Sequence, residues 1–373
     1  MARLEQITLR EIRLPLREPF RVSFGIVTER RIPLLELRDV DGVTAWSECV
    51  ALELPNYSAE ALDTAWYAIS EWVAPRVIGR DFAHPSEVYS ALEEDFRGNW
   101  MAKASVEMGL WVLEATRQGI PLARLLGGTR REVATGISLG IMSSPEALVE
   151  KARAALAQGY RKIKIKIAPG HDVAYVRAVR EALGPDAPLM ADANNAYQLS
   201  DAGVLAQLDD LNLMMIEQPL AWDDLVQHAA LQKRLKTPLC LDESITSLDR
   251  ARDMVTLNAG RIINIKPGRV GGFSSSLAIH DYCVAHSIPV WCGGMLESGI
   301  GRACNVALAS LPGFTKPGDL SPSARYWERD IVTPEWTMTA EGMVAVRLDR
   351  PGLGVEVDRD RVDNLTVRTV VLR

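Results

Sequence analysis

Two periods divide the chain. In the first 125 residues, apolar positions recur at every second residue from Ile7 to Leu16, with imperfect alternation, and again over Ile32–Leu37 and Val43–Val50. The last two runs flank Asp39-Val40-Asp41-Gly42, whose Asp-Gly end predicts a hairpin turn. Helical spacing then takes over at Glu60–Val73 and Lys103–Arg117. Strands followed by helices predict an α+β domain. From about residue 130 a different rhythm begins. Short aliphatic runs start near Val133, Lys162, Pro188, Leu213, Pro238, Arg261 and Ile288, in steps of 29, 26, 25, 25, 23 and 27 residues. Amphipathic stretches fill the gaps at Pro145–Ala157, Val173–Leu183, Asp224–Leu235, Leu248–Leu257 and Ser274–Ala285. A strand and a helix in each step is the βα unit, and seven or eight of them, with a shorter run at Phe314–Leu320, predict an α/β chain closed as a (β/α)7β TIM-type barrel. The competing open, doubly wound sheet calls for a glycine-rich phosphate turn, and GxGxxG is absent. The division expected is a capping domain over 1–125, a barrel over 126–320, and a C-terminal segment over 321–373. That segment alternates again at Met343–Leu348 and is expected to pack back on the cap.

Composition narrows the function. With 47% hydrophobic and 24% charged residues the chain is globular, and a net charge of −6 without a basic block argues against nucleic acid as a partner. No apolar signal core opens the sequence and no apolar stretch approaches a membrane span, so a cytoplasmic protein without membrane contact is expected. The five cysteines (Cys49, Cys240, Cys283, Cys292, Cys304) are scattered without a CxxC pair and read as buried, reduced thiols. The five histidines show no metal spacing.

The chemistry lies at the predicted strand ends. Lys162-Ile163-Lys164-Ile165-Lys166-Ile167 puts three lysines on one face of a strand, which reads either as a solvated edge or as cations put to use. The following strands end in Asp192, Glu217 and Asp242, 25 residues apart each time, and so on one level of three adjacent strands. As separate helix caps they would not fall in register. Together they would repel unless a hard divalent cation joined them, and three carboxylates with water and substrate oxygens suit Mg²⁺, with Mn²⁺ as an alternative. Lys166 and Lys266, on the second and sixth strands, face each other across these acids. That arrangement suits removal of a proton from carbon beside a carboxylate, with a neutral lysine as base. Lys164 is expected to lower the pKa of Lys166, and Arg269 that of Lys266. The plainer role for Lys266 is a fixed countercharge. Between the first strands, the loop 18–25 holds Phe20 and Phe24, which either tuck into their own core or form a lid over an apolar ligand.

With Glu217-Gln218-Pro219-Leu220-Ala221-Trp222-Asp223-Asp224, Cys240-Leu241-Asp242-Glu243-Ser244, Trp291-Cys292-Gly293-Gly294-Met295-Leu296-Glu297-Ser298-Gly299 and Pro317-Gly318-Asp319, the sequence resembles the enolase superfamily. Within it the chain is similar to the muconate-lactonising subgroup and the o-succinylbenzoate synthase / N-acylamino acid (N-succinylamino acid) racemase family. The resemblance implies that Lys166 and Lys266 are the acid/base pair and that Asp192, Glu217 and Asp242 bind Mg²⁺. It further implies that Lys164 and Asn194 approach a small-molecule carboxylate substrate, backed by Glu243 and Arg269, with Ser138, Gly294, Met295, Phe20 and Phe24 also near it. The activities implied are dehydration to o-succinylbenzoate in menaquinone biosynthesis and racemisation of N-succinyl or N-acylamino acids, in a homo-oligomer. A dipeptide epimerase or cycloisomerase would use the same apparatus. A Schiff-base aldolase or a ligand-binding barrel without catalysis stands further off.

Overall fold

Ile7, Leu9, Ile12 and Leu14 on one strand, and Ile32, Leu34 and Leu37 on the next, all turn into one core. The imperfect alternation of the first strand coincides with a register shift against the last strand, which pairs Arg368 with Glu11 and Thr366 with Ile12 and leaves Val367 between them unpaired. The computed structural model describes residues 3–22 and 25–373. In it β1 (Leu4–Val22), β2 (Gly25–Asp39) and β3 (Thr44–Glu48) form an antiparallel sheet with the last strand of the chain added beyond β1. The Asp39–Gly42 turn forms as predicted, with Asp39 Oδ1 accepting from the Asp41 and Val43 amides. Helices α1 (Leu62–Ala68), α2 (Ser86–Glu93), α3 (Trp100–Gln118) and α4 (Leu122–Leu125) complete the cap.

A short β4 (Glu132–Ala134) leads to seven parallel strands: β5 (Ile137–Leu139), β6 (Ile163–Lys166), β7 (Leu189–Asp192), β8 (Ile216–Glu217), β9 (Leu239–Leu241), β10 (Ile262–Ile265) and β11 (Val290–Cys292). They hydrogen-bond in sequence order. Each is followed by a helix packed outside: α5 (Pro145–Ala157), α6 (Val173–Leu183), α7 (Ala202–Leu205), α8 (Val226–Gln232), α9 (Leu248–Leu257), α10 (Phe273–Ala285) and α11 (Gly299–Ala309). The eighth run closes the ring by isolated bridges, Phe314 to Val290 on one side and Gly318 to Thr135 on the other. Pro317 and Gly318 deny it a regular strand. The tail supplies β12 (Val332–Thr333), β13 (Met343–Ala345), β14 (Glu356–Val357), α12 (Arg359–Leu365) and β15 (Thr366–Leu372).

Four expectations change. Val133 opens not the first barrel strand but β4, which pairs antiparallel with β13. The barrel strand proper starts at Ile137, past Gly136, where a Cβ would stand 2.7 Å from Lys162 Cε. The tail run at Met343–Leu348 therefore packs on the start of the barrel, and it is β15 that returns to the cap, pairing Leu372 with Ile7. Residues 18–22 are not a loop but the arm of a long hairpin, pairing Phe20 with Val27. The lysine run is no solvated edge, because β6 lies between β5 and β7 and buries Lys162 and Lys164.

Candidate active site

The two-residue period of a strand turns alternate side chains into the barrel. A floor of Met190, Met215, Cys240, Ile262 and Trp291 is buried there as one layer. Two residues further along the same strands come Asp192, Glu217, Asp242, Asn264 and Gly293. The register sets Lys166 beside Asp192 and Asp192 beside Glu217. The three acids are at most 1% exposed. Gly293 is small because Lys266 needs the room: a Cβ there would lie 2.7 Å from Lys266 Cε.

Each acid is bound to a cation. Lys164 Nζ lies 2.8 Å from Asp192 Oδ2, 2.7 Å from Glu217 Oε2 and 3.3 Å from Asp319 Oδ2, so two of the three acids share one positive charge. Lys166 Nζ lies 2.6 Å from Asp192 Oδ2 and donates to Asn194 Oδ1. Lys266 Nζ reaches Asp242 Oδ2 at 2.8 Å, while Arg269 binds Asp242 Oδ1. Asn194 and Asn195 both donate to Glu243 Oε1, and Glu243 Oε2 has no hydrogen-bond partner among the described residues. Ser138 Oγ, in register with Lys164, has none either. Backbone strain gathers at the same strand ends: Asn194, Asn195, Gln218 and Leu296 have φ between 37° and 63°.

The electrostatics separate the lysines. Burial holds Lys166 below the ordinary lysine value, helped by Lys164 and opposed by Asp192. Burial also pulls Lys164 down, but Asp192, Glu217 and Asp319 outweigh it and hold that ammonium charged. Lys266 departs from expectation. Its burial is outweighed by the Tyr57 oxygen, Glu243 and Glu217, and its pKa lies above the usual value, not below it. Arg269 does not depress it because the guanidinium is spent on Asp242 and on the Ile245 and Asn264 carbonyls. Burial and the Asp192 charge lift Glu243 to about 7. Burial raises Asp192 as well, but Lys164 and Lys166 bring it below the usual carboxylate range.

Lys166 and Lys266 line one small cavity, together with Tyr57 and Asn194. Its other walls are apolar, with Phe20, Val27 and Leu52 from the cap and Met295 and Leu296 from the loop after β11, where Gly294 also touches it. Phe24 lies outside the described residues. Two participants escaped the sequence reading. Tyr57 donates to Asp242 Oδ1 at 3.0 Å and accepts from Lys266 Nζ at 3.0 Å. Nothing in its irregular cap segment signals that role. Asp319 binds Lys162 at 3.0 Å as well as Lys164, and its place at the end of the eighth run was the available signal.

Residues 5–127 match the mandelate racemase / muconate lactonizing enzyme N-terminal domain, and residues 147–361 match the enolase C-terminal domain-like family. The chain is 49% identical to an o-succinylbenzoate synthase of Geobacillus kaustophilus over 97% of this chain and 96% of the relative. It is 47% identical to an N-succinylamino acid racemase of Thermus thermophilus over 98% of both chains. A solved enolase-superfamily structure from Listeria innocua superposes with a TM-score of 0.96 at 38% identity, covering 100% of this chain and 99% of that one. With cap, barrel and the lysine and carboxylate strand ends all in place, the chain belongs to the enolase superfamily, in the mandelate racemase / muconate lactonizing enzyme family that includes o-succinylbenzoate synthases and N-succinylamino acid racemases.

Proposed function

We propose that this protein is a divalent-metal-dependent enzyme that removes the α-proton of a carboxylate, acting as an o-succinylbenzoate synthase and also racemising N-succinylamino acids. The observation that carries the reading is that two lysine amines, the buried Lys266 and the partly buried Lys166, reach one cavity across three buried carboxylates. Asp192, Glu217 and Asp242 would hold Mg²⁺ or Mn²⁺, since they are hard oxygen donors and two of them are already spaced to share a cation. When bound, the ion supplies positive charge beside the substrate carboxylate as negative charge builds there.

Lys166 takes the proton. Its depressed pKa leaves it the readier of the two to be neutral. In dehydration it returns that proton to the departing hydroxyl, while Lys266, held charged, steadies the anionic intermediate. In racemisation Lys266 delivers a proton to the opposite face of the carbon, and for the other enantiomer the two amines exchange these roles, Lys266 taking the proton and Lys166 delivering one. Lys164 and Asn194 orient the carboxylate, and Phe20 on the hairpin arm covers the apolar end as a lid. Five unpaired, buried cysteines support a reducing compartment, the cytoplasm.

The test offers the purified protein with Mg²⁺ the cyclohexadiene precursor of o-succinylbenzoate and N-succinyl amino acids side by side. Both are expected to turn over, chelation to stop both, and Lys166→Ala to abolish dehydration while Mg²⁺ still binds by calorimetry. Turnover of neither substrate, or turnover indifferent to chelator, contradicts the reading.

A further inference from the structure

The loop from Gly293 to Ser298 carries one wall of the cavity through Gly294, Met295 and Leu296. Leu296 stands at φ 58°, a left-handed backbone that a bulky side chain rarely adopts, so its surroundings must hold it there. Two buried carboxylates do so. Glu297 Oε1 accepts from the Met295 amide and from Asn305 Nδ2, both at 2.8 Å. Glu48, 1% exposed, comes from the far end of the sequence, at the close of β3 in the cap. It accepts from the Ser298 amide at 3.1 Å, Ser298 Oγ at 2.6 Å and the Gly301 amide at 3.1 Å. Ser298 is the N-cap of the eleven-residue barrel helix α11, its Oγ accepting from the Ile300 amide, and the cap domain adds through Glu48 an acceptor for the Gly301 amide in the first turn. Gly301 makes the meeting possible: a Cβ there would stand 2.8 Å from Glu297 Cβ and 2.9 Å from Glu48 Oε2.

Counter-charge comes from two buried arginines. Arg302 Nη2 lies 3.7 Å from Glu297 Oε2, and Arg302 Nη1 donates to the Asp319 carbonyl at 2.7 Å. Arg30, on β2, donates to the Val50 carbonyl at 3.3 Å, and its field acts on Glu48. The opposing wall belongs to these same cap segments, since Val27 lies on β2 and Leu52 lies four residues past Glu48. One carboxylate is therefore continuous in sequence with the cap wall and hydrogen-bonded to the barrel wall.

We propose that Glu48 is a positioning residue that fixes the separation of the two walls and so selects which substituent on the α-carbon the enzyme accepts. The inference rests on the functional reading above, but Glu48 touches neither the lysines nor the metal-binding acids. It is tested with Glu48→Gln, which keeps a carbonyl acceptor, and Glu48→Ala, which keeps none, on N-succinyl amino acids with side chains graded from methyl to benzyl. In Glu48→Ala the kcat/KM ratio between large and small side chains is expected to move by about tenfold or more, through KM, with kcat within about threefold; Glu48→Gln stays within about threefold of wild type throughout. Hydrogen exchange gives a readout independent of turnover. The amides of 295–301 should exchange at least about tenfold faster in Glu48→Ala while those of β9 and β10 hold their rates. Should Glu48→Ala fail to fold, Glu48→Asp, one methylene shorter, is judged by the same criteria. An equal loss of kcat/KM for every side chain, or unchanged protection of 295–301, overturns the proposal. If the wild type turns over no member of the series, the functional reading falls, and the exchange rates still decide whether Glu48 holds this wall.

Discussion

Lys166 and Lys266 enter the same cavity with opposite electrostatic biases, and their neighbours explain why. Lys166 is flanked on its own strand by the charged Lys164, whereas Lys266 is surrounded by oxygen atoms, including the Tyr57 hydroxyl at 3.0 Å and Asp242 at 2.8 Å. Tyr57→Phe removes a group that links Lys266, Arg269 and Asp242 at once. A hydrogen bond to a charged partner contributes about 1.5–3 kcal/mol, so kcat is expected to fall about tenfold to a hundredfold with KM less affected; steady-state kinetics check this, and an unchanged kcat would remove Tyr57 from the machinery. The lysines and acids were legible in the sequence because a repeating βα unit places the same chemistry at the same level every 25 or so residues. Tyr57 was not, because it comes from irregular backbone that only tertiary packing brings to the barrel mouth. The charge state of Lys266 was not legible either, since it depends on where Arg269 spends its donors.

At the scale of elements, amphipathic period alone located α5, α6 and α9 to the residue. Ser144 and Ser247, whose side chains accept amide hydrogen bonds inside the first turn, mark the starts of α5 and α9. Period failed where a partner decides pairing. The run at Val133 alternates as well in β4 as it would in a barrel strand, and only the tail strand β13 opposite settles which it is. The hairpin arm reads as a loop in sequence because Pro15 and Pro19 interrupt its alternation, and the register between Pro15 and Phe20 does shift. Packing between elements offers a separate test. Gly109 on α3 faces β2 and β3, where a Cβ would stand 2.6 Å from Leu37 Cδ1 and 3.0 Å from Ser47 Oγ. Gly109→Ala is expected to destabilise the cap by about 1–3 kcal/mol through overpacking, read as a lowered Tm with kcat unchanged. An unchanged Tm would mean that the helix shifts freely on its sheet.

Across the whole molecule, cap and barrel are joined by buried carboxylates that the sequence gives no means of pairing. Glu107 on α3 accepts from the Phe273 and Ser274 amides at 2.7 and 2.9 Å in the first turn of α10, as Glu48 accepts from the Gly301 amide in the first turn of α11. Burial lifts Glu107 from 4.5 to about 7, opposed by these hydrogen bonds. The folded state therefore binds this proton more tightly than the unfolded chain does. The resulting stability is full below about pH 4.5 and is lost as pH rises through about 7. The gap in unfolding free energy between wild type and Glu107→Gln should accordingly shift by about 2 kcal/mol against the wild type from pH 5 to pH 8. A gap independent of pH, measured by urea unfolding at both values, would contradict it. In the proposed function, turnover rests on Lys166 and Lys266, the two amines that reach one cavity. The most direct test is α-proton exchange of each enantiomer of an N-succinyl amino acid in deuterated water with Mg²⁺, followed by NMR. Wild type should exchange both enantiomers, whereas Lys166→Ala and Lys266→Ala should each exchange a single enantiomer, and not the same one. Exchange of both enantiomers at the wild-type rate in either variant would contradict the assignment of the two lysines to opposite faces of the carbon.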